Sequence, residues 1–582
     1  MGLLLLCMML IMAFLDLLGV ASILPFMAVL TNPSLFETNT ILNMMFLSAG
    51  SIGIETKEEF IFILGILVFF LLVFTLTFKA LTEYAKVRFS MMREYSICNR
   101  LLNGYLNQPY VWFLKNNSAS ISKNVLAEVS TVVNTGLAPL LNIISHSIVV
   151  IVLLGFLIFI DPKLSLGIGF TLGAAYLIIY KLSKNFITQI GYGRLSANEE
   201  RYNSLNEAFG ASKQLKVSGL EQTYFERFKN PAKKFAQQNT SLIVVSQLPR
   251  FALEAIAFGG MLLLILYFLS EKGNFIDAIP VIALYAFAGY RLMPALQQIY
   301  KSIAEVRFAV PALDALYDDL KRLQPRIPQR NKDIMQFNKA ITLNNIFYNY
   351  PDTSQEVLKD ISLNIPFGST VGFVGATGSG KTTIIDVILG LLEPQKGTLE
   401  VDDKIINNQN VRAWQSSIGY VPQEIYLADD TIAANIAFGI EAKNINQEDI
   451  KRVAKIARLH EFVKNELPSK YQTIVGERGV RLSGGQRQRI GIARALYHNP
   501  KVIIFDEATS ALDNQTEQSV MDSINNLGNK ITVIIIAHRL TTVRACNTIF
   551  LLEKGELKGK GNFEDLRKDN EKFQAMLGNI SY

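Results

Sequence analysis

The stretch GSTVGFVGATGSGKTTIIDVILG, residues 368–390, decides how the second half of this chain folds. Val371, Phe373 and Val374 sit in a short apolar run, a strand over Thr370 to Val374. A glycine-rich turn follows, and then a helix. Gly375, Gly380, Lys381 and Thr382 fit the spacing G-x-x-x-x-G-K-[ST]. The chemistry explains the residue types. Glycines let the amides of Gly375, Ala376, Thr377, Gly378, Ser379 and Gly380 curl around phosphate oxygens at the start of a helix that continues through Thr383. Lys381 is expected to reach the β- and γ-phosphates of ATP, and the Thr382 hydroxyl to ligate Mg²⁺.

Downstream, KVIIFDEATSALD, residues 501–513, puts a hydrophobic strand in front of Asp506 and Glu507. An apolar strand ending in two acids is common in α/β folds. Paired with the phosphate loop it gains meaning: Asp506 supports Mg²⁺ and Glu507 polarises the attacking water. Between the two lies RLSGGQRQRIGIARAL, residues 481–496. LSGGQ resembles the signature of the ATP-binding-cassette (ABC) proteins, and neighbouring segments resemble that family too. Tyr350 in FYNYPD is similar to the aromatic that stacks on adenine. Gln423 in IGYVPQ resembles the glutamine that senses Mg²⁺ and water, and Glu477 in VGERG looks like the exporter-type loop. SALD, ending at Asp513, resembles the D-loop, and His538 in IIAHRL resembles the switch histidine. The resemblance covers about residues 341–560. It implies that Ser483, Gly484, Gly485 and Gln486 address the γ-phosphate held by a partner domain. With one phosphate loop and one signature per chain, a second identical chain would complete two composite ATP sites. His146, His460 and His498 are scattered and read as structural.

The first half has another character. Half of all 582 residues are hydrophobic, mean hydropathy is +0.24, and the long apolar runs fall before residue 310. Six stretches are long enough to span a bilayer, about 1–30, 60–80, 135–160, 164–182, 251–270 and 278–300. Connectors 81–134 and 183–249 are rich in Lys and Arg, whereas 31–59 and 271–277 are not, which puts the basic connectors and the C-terminal domain in the cytoplasm. Membrane topology accounts for the +7 net charge better than nucleic acid does. Cys7, Cys98 and Cys546 form neither a disulfide framework nor a metal spacing. MGLLLLCMML lacks a basic lead-in and a cleavage site, so no removable signal peptide is expected.

The whole reads as a multi-domain membrane protein. An all-α transmembrane domain of six helices (1–310) is followed by a linker (311–340) and an α/β P-loop NTPase domain (341–582). The layout resembles ABC exporter half-transporters of the type IV fold, in a bacterial inner membrane. The connector turns near 116–121 and 211–216 would then press on the ATP-binding domain.

Cargo must be read from the spans. Lys79, Arg250 and Arg291 all fall in the inner half of the membrane, and a charge there is costly. Lys79 can snorkel, and Arg250 can pair with Glu254 one turn on. No acid lies within a turn of Arg291, which is expected to line a cavity and meet an anionic head group, phosphate or pyrophosphate. LPRF and LE (248–254) with GYRLMP (289–294) resemble the lipid-linked oligosaccharide flippases, implying a polyprenyl-pyrophosphate glycan. A multidrug or peptide exporter and an ATP-gated channel or regulator are the alternatives.

Overall fold

The structure is a computed structural model. It describes residues 2–31, 44, 56–270, 275–323, 335–351, 353, 355–507, 513–525, 531–537, 540 and 542–578. The chain divides into two compact units, residues 1–108 with 115–325, and residues 109–114 with 326–582.

The first unit is helical throughout. Its long elements are α1 (Gly2–Ala21), α2 (Lys57–Leu106), α3 (Ala138–Ile160), α4 (Pro162–Gly210), α5 (Glu221–Ser270) and α6 (Phe275–Arg322). A helix of 50 residues, such as α2 or α5, is about 75 Å long, well over twice the apolar core of a bilayer. These helices therefore run far beyond any membrane they cross. Among the described residues five stretches are long and apolar enough to span, lying within 2–30, 58–106, 118–160, 165–210 and 221–260. The sixth expected span lies in α6, whose first residues have side chains outside the described set. The expected linker 311–340 begins inside α6, which is unbroken through Pro294 to Arg322.

Where helices meet in this unit, small and apolar side chains fill the contact. Ala13, Val20, Val149, Leu153, Leu284, Ala288 and Ala295 form one buried cluster joining α1, α3 and α6. Polar contacts also tie separate helices together, such as Tyr105 to Asp319 and Ser183 to Tyr300. The lead-in to α3 contains two π-helical turns, Asn124–Glu128 and Val132–Leu137. Glu128, fully buried, accepts from Arg194 Nη1 at 2.7 Å and from Asn198 Nδ2 at 2.8 Å on α4. Arg194 Nη2 also donates to Thr131 Oγ1 at 2.7 Å.

The second unit holds two sheets. One is antiparallel with strand order β2-β1-β4-β5, from β1 (Ala340–Tyr348), β2 (Leu358–Pro366), β4 (Lys396–Val401) and β5 (Lys404–Ile405). The other has order β10-β9-β3-β8-β7-β6, from β3 (Thr370–Val374), β6 (Ile418–Val421), β7 (Val502–Asp506), β8 (Thr532–Ile536), β9 (Thr548–Glu553) and β10 (Glu556–Gly561). Its strands are parallel except β10. Val502 and Ile504 of β7 enter one core, with the helix Lys381–Ile388 and the antiparallel sheet, while Ile503 and Phe505 enter the other. Burial on both faces is why these strands are continuous apolar runs in sequence. Residues 109–114 belong to this unit, and Val111 packs against its core. The connector segment that joins the cassette is thus 109–114, a few residues before the expected 116–121. A connector's midpoint is only a geometric guide, whereas the aromatic run YVWFLK carries the apolar surface.

Candidate functional site

The site assembles at the carboxyl ends of β3 and β7, with β8 between them, which is where open parallel sheets form their ligand crevice. The loop after β3 turns so tightly that Gly375 has φ +155°, and a Cβ there would meet Leu552 O at 2.3 Å. No side chain fits, so the backbone can approach a ligand closely. Lys381 is buried and its Nζ donates to Gly375 O at 2.8 Å and Ala376 O at 3.0 Å. Burial pulls its pKa down, against the opposing pull of the Glu507 and Asp506 carboxylates. Ser379 Oγ is buried with no hydrogen-bond partner among the described residues. A closed loop of amides, a buried ammonium and an unpartnered hydroxyl fit the phosphates of a nucleotide. Thr382 is exposed at the start of the helix Lys381–Ile388, whereas Thr383 is buried and shares a 3.2 Å hydrogen bond with the Tyr350 hydroxyl. Tyr350 also packs edge-on against Tyr348.

Asp506 ends β7 and Glu507 follows with φ +51°, a left-handed conformation at which the strand stops. Gln423 Nε2 donates to Glu507 Oε2 at 2.7 Å, bringing together two of the expected catalytic residues. Burial raises the pKa of Asp506, partly offset by a hydrogen bond from Tyr420. Thr382, Gln423 and Asp506 can each supply a side-chain oxygen, a donor type that suits Mg²⁺.

Ser483 caps the helix Gly484–Leu496. Its side chain accepts from Gln486 N at 3.2 Å, and Gln486 Oε1 accepts from Ser483 N at 2.8 Å. This capping box leaves the amides of Gly484 and Gly485 at an uncompensated helix N-terminus, suited to an anion. Asp513 caps the following helix, accepting from Thr516 N at 2.9 Å and Thr516 Oγ1 at 2.7 Å, and those bonds lower its pKa. His538 lies outside the described residues.

Two residues here escaped the sequence reading. Tyr420 stands three positions before Gln423, and its alternation with the apolar residues of IGYV was a readable signal. Asp386, in the helix Lys381–Ile388, is buried, and desolvation followed by the charge of Asp506 pushes its pKa up to about 6. An acid inside an apolar helix face was visible in IIDVI.

The three basic residues of the first unit are not brought together. Arg291 Nη1 lies 3.0 Å from Asp16 Oδ1 on α1, with side chains 11% and 3% exposed. The contact lacks hydrogen-bond alignment but is a buried ion pair. This corrects the expectation that Arg291 stands free for a substrate anion: a native carboxylate neutralises it. The signal was Asp16, the lone acid of the first apolar run. Arg250 Nε donates to Glu254 Oε1 at 2.7 Å, and Lys79 is half-buried on α2. A cavity of about 1730 Å³ opens between α3, α4, α5 and α6. Arg250, Glu254 and Lys163 lie on its otherwise largely apolar, tyrosine-bearing wall, while Lys79 and Arg291 do not. Gly167, Gly169, Gly173, Gly259, Gly260 and Gly289 line it and make its room.

Comparison with known proteins agrees with this architecture. A family model described as ABC transporter matches residues 358–510. The chain is 30% identical to ABC transporter B family member 29, chloroplastic, of Arabidopsis thaliana, over 76% of this chain and 69% of that one. It is 28% identical to the ATP-dependent lipid A-core flippase of Aliivibrio fischeri, over 81% and 80% of the two chains. A solved bacterial Atm1-family ABC exporter with ATP bound superposes with a TM-score of 0.80 at 22% identity, covering 98% of this chain and 97% of that one.

Proposed function

The chain belongs to the ABC transporter family, and from that premise we propose that it works as a homodimeric half-transporter moving an anionic, sugar-bearing lipid across a bacterial inner membrane. As a member of the family it binds ATP and is an ATPase coupled to transmembrane transport. The finer steps are our reading of the site. Lys381 and the amides of residues 375–380 hold the phosphates, Tyr350 supports the adenine, and Thr382, Gln423 and Asp506 hold Mg²⁺. Bound there, Mg²⁺ would neutralise charge on the phosphate oxygens. Glu507, oriented by Gln423, takes the proton of the attacking water. Ser483, Gly484, Gly485, Gln486 and Asp513 of one copy close on the phosphate loop of the other, with His538 completing the site.

The observation that carries the cargo reading is the cavity, whose largely apolar wall bears the charged pair Arg250 and Glu254. A largely apolar wall with a few polar groups suits an amphipathic ligand. The relatives named as lipid A-core flippases support a glycolipid, and a polyprenyl-pyrophosphate glycan shares the same combination of apolar tail, anionic phosphate and sugar. A second reading, export of apolar drugs, draws on the pairing of Arg250 with Glu254, which leaves the wall less cationic. ATPase assays in liposomes separate the two. Polyprenyl-pyrophosphate glycan or lipid A should stimulate hydrolysis, and Arg250→Ala should abolish the stimulation while basal turnover persists. Stimulation by hydrophobic drugs alone, unaffected by Arg250→Ala, would overturn the lipid reading.

A further inference from the structure

We propose that Tyr420 is a positioning residue for ATP hydrolysis: its hydroxyl holds one oxygen of Asp506 and so presents the other to Mg²⁺. The inference rests on the assignment of Asp506 to the metal.

The geometry comes from strand register. β6 and β7 are parallel, with Tyr420 opposite Ile504 and Val421 opposite Phe505. Side chains two apart on a strand share a face, so Tyr420, Ile504 and Asp506 project from one side of the sheet. Asp506 is then the diagonal neighbour of Tyr420, within reach of a long aromatic. The Tyr420 hydroxyl donates to Asp506 Oδ2 at 3.1 Å. On its other side Asp506 pairs with Ile536, whose side chain has no polar group to offer. Among the described residues Tyr420 is thus the side chain that orients this carboxylate.

Orientation matters here because charges of both signs act on Asp506, a like one from Glu507 and an opposite one from Lys381. Asp506 in turn acts on the buried carboxylate of Asp386. An unheld Asp506 would have competing charges to turn between. The tyrosine ring is partly buried and packs against the core, so the hydroxyl is delivered from a supported position. A free rotor would give no such constraint. Tyr420 acts through Asp506.

The test uses the full-length protein in lipid nanodiscs, with Glu507→Gln added to stop turnover. Mn²⁺ replaces Mg²⁺, and its binding in the presence of ATP is followed by electron paramagnetic resonance. Affinity for a fluorescent ATP analogue is measured separately in EDTA. Tyr420→Phe keeps the ring and removes the hydroxyl. It should weaken Mn²⁺ binding about tenfold, the loss of one hydrogen bond to a charged group, and leave nucleotide affinity in EDTA unchanged. Unchanged Mn²⁺ affinity overturns the proposal. So does an equal fall in both affinities, which would mean that the ring merely supports the loop. Asp506→Asn separates the role of Asp506 from that of Tyr420. If it leaves Mn²⁺ affinity unaltered, the assignment of Asp506 fails and takes Tyr420 with it. If it weakens Mn²⁺ binding while Tyr420→Phe does not, only the role of Tyr420 is lost. Where both hold, Tyr420→Phe added to Asp506→Asn should cost nothing more, because the pair acts as a unit.

Discussion

Arg291 and Asp16 illustrate what a single pairing changes. Each is an ionised group taken out of water, and each is tolerable only while the other is present. Asp16→Asn or Arg291→Ala should each lower stability by about 3–5 kcal/mol, seen as an earlier thermal unfolding in detergent. Asp16→Asn combined with Arg291→Gln should recover most of that loss. A double variant no better than the singles would show that the pair does not act as such. At the nucleotide site, Glu507→Gln should cut hydrolysis by about 10²–10⁴, the typical contribution of a positioned base. Radiolabelled ATP should then remain on the protein uncleaved. Asp386 gives a dependence on pH. Its folded pKa is raised above the unfolded value, so burial of the charged form costs stability. That cost is absent below about pH 4, grows as pH rises towards 6 and is fully present above it. Asp386→Asn should therefore raise the melting temperature of the nucleotide-free protein at pH 7.5, with the gain shrinking towards pH 4. A gain independent of pH would refute this.

Among the elements, the lead-in to α3 departs furthest from regularity. The first of two π-helical turns ends on the buried Glu128, and the wider backbone ring of such turns rotates the residues downstream relative to a plain α-helix. The bonds from Arg194 and Asn198 to Glu128 lock α4 onto that rotated segment. Glu128→Ala strips Arg194 of its counter-charge in a buried place and should cost about 3–5 kcal/mol. Glu128→Gln keeps an acceptor and should cost less. Hydrogen exchange across residues 124–137 would resolve the difference, with faster exchange in Glu128→Ala. None of this was legible beforehand. Glu128 and Arg194 stand in basic, polar connectors where charges are ordinarily solvated, and sequence separation hides their pairing. The cassette strands were legible for the opposite reason, since burial on both faces leaves unbroken apolar runs such as VIIFD.

For the whole molecule, the open question is how many chains make one working transporter. One phosphate loop and one signature per chain predict that two defective chains can complement. A chain bearing Lys381→Ala and another bearing Gly484→Asp should each be inactive alone. Co-assembled, they should regain hydrolysis, because one composite site is then intact. Absence of recovery in a verified mixed dimer would refute the head-to-tail arrangement. Sequence alone determined the family and the nucleotide chemistry, because phosphate binding depends on backbone amides and a few side chains held at fixed spacing along one strand, loop and helix. It also marked apolar runs as candidate spans, since crossing a bilayer is a matter of length and hydropathy. Tertiary structure decided the partners of the charges. Asp16 meets Arg291, Glu128 meets Arg194 and Tyr420 meets Asp506 only once separate elements pack. The energy of a charge or a polar group depends on what lies within a few ångströms of it, and neighbours in space are not written in the order of the chain.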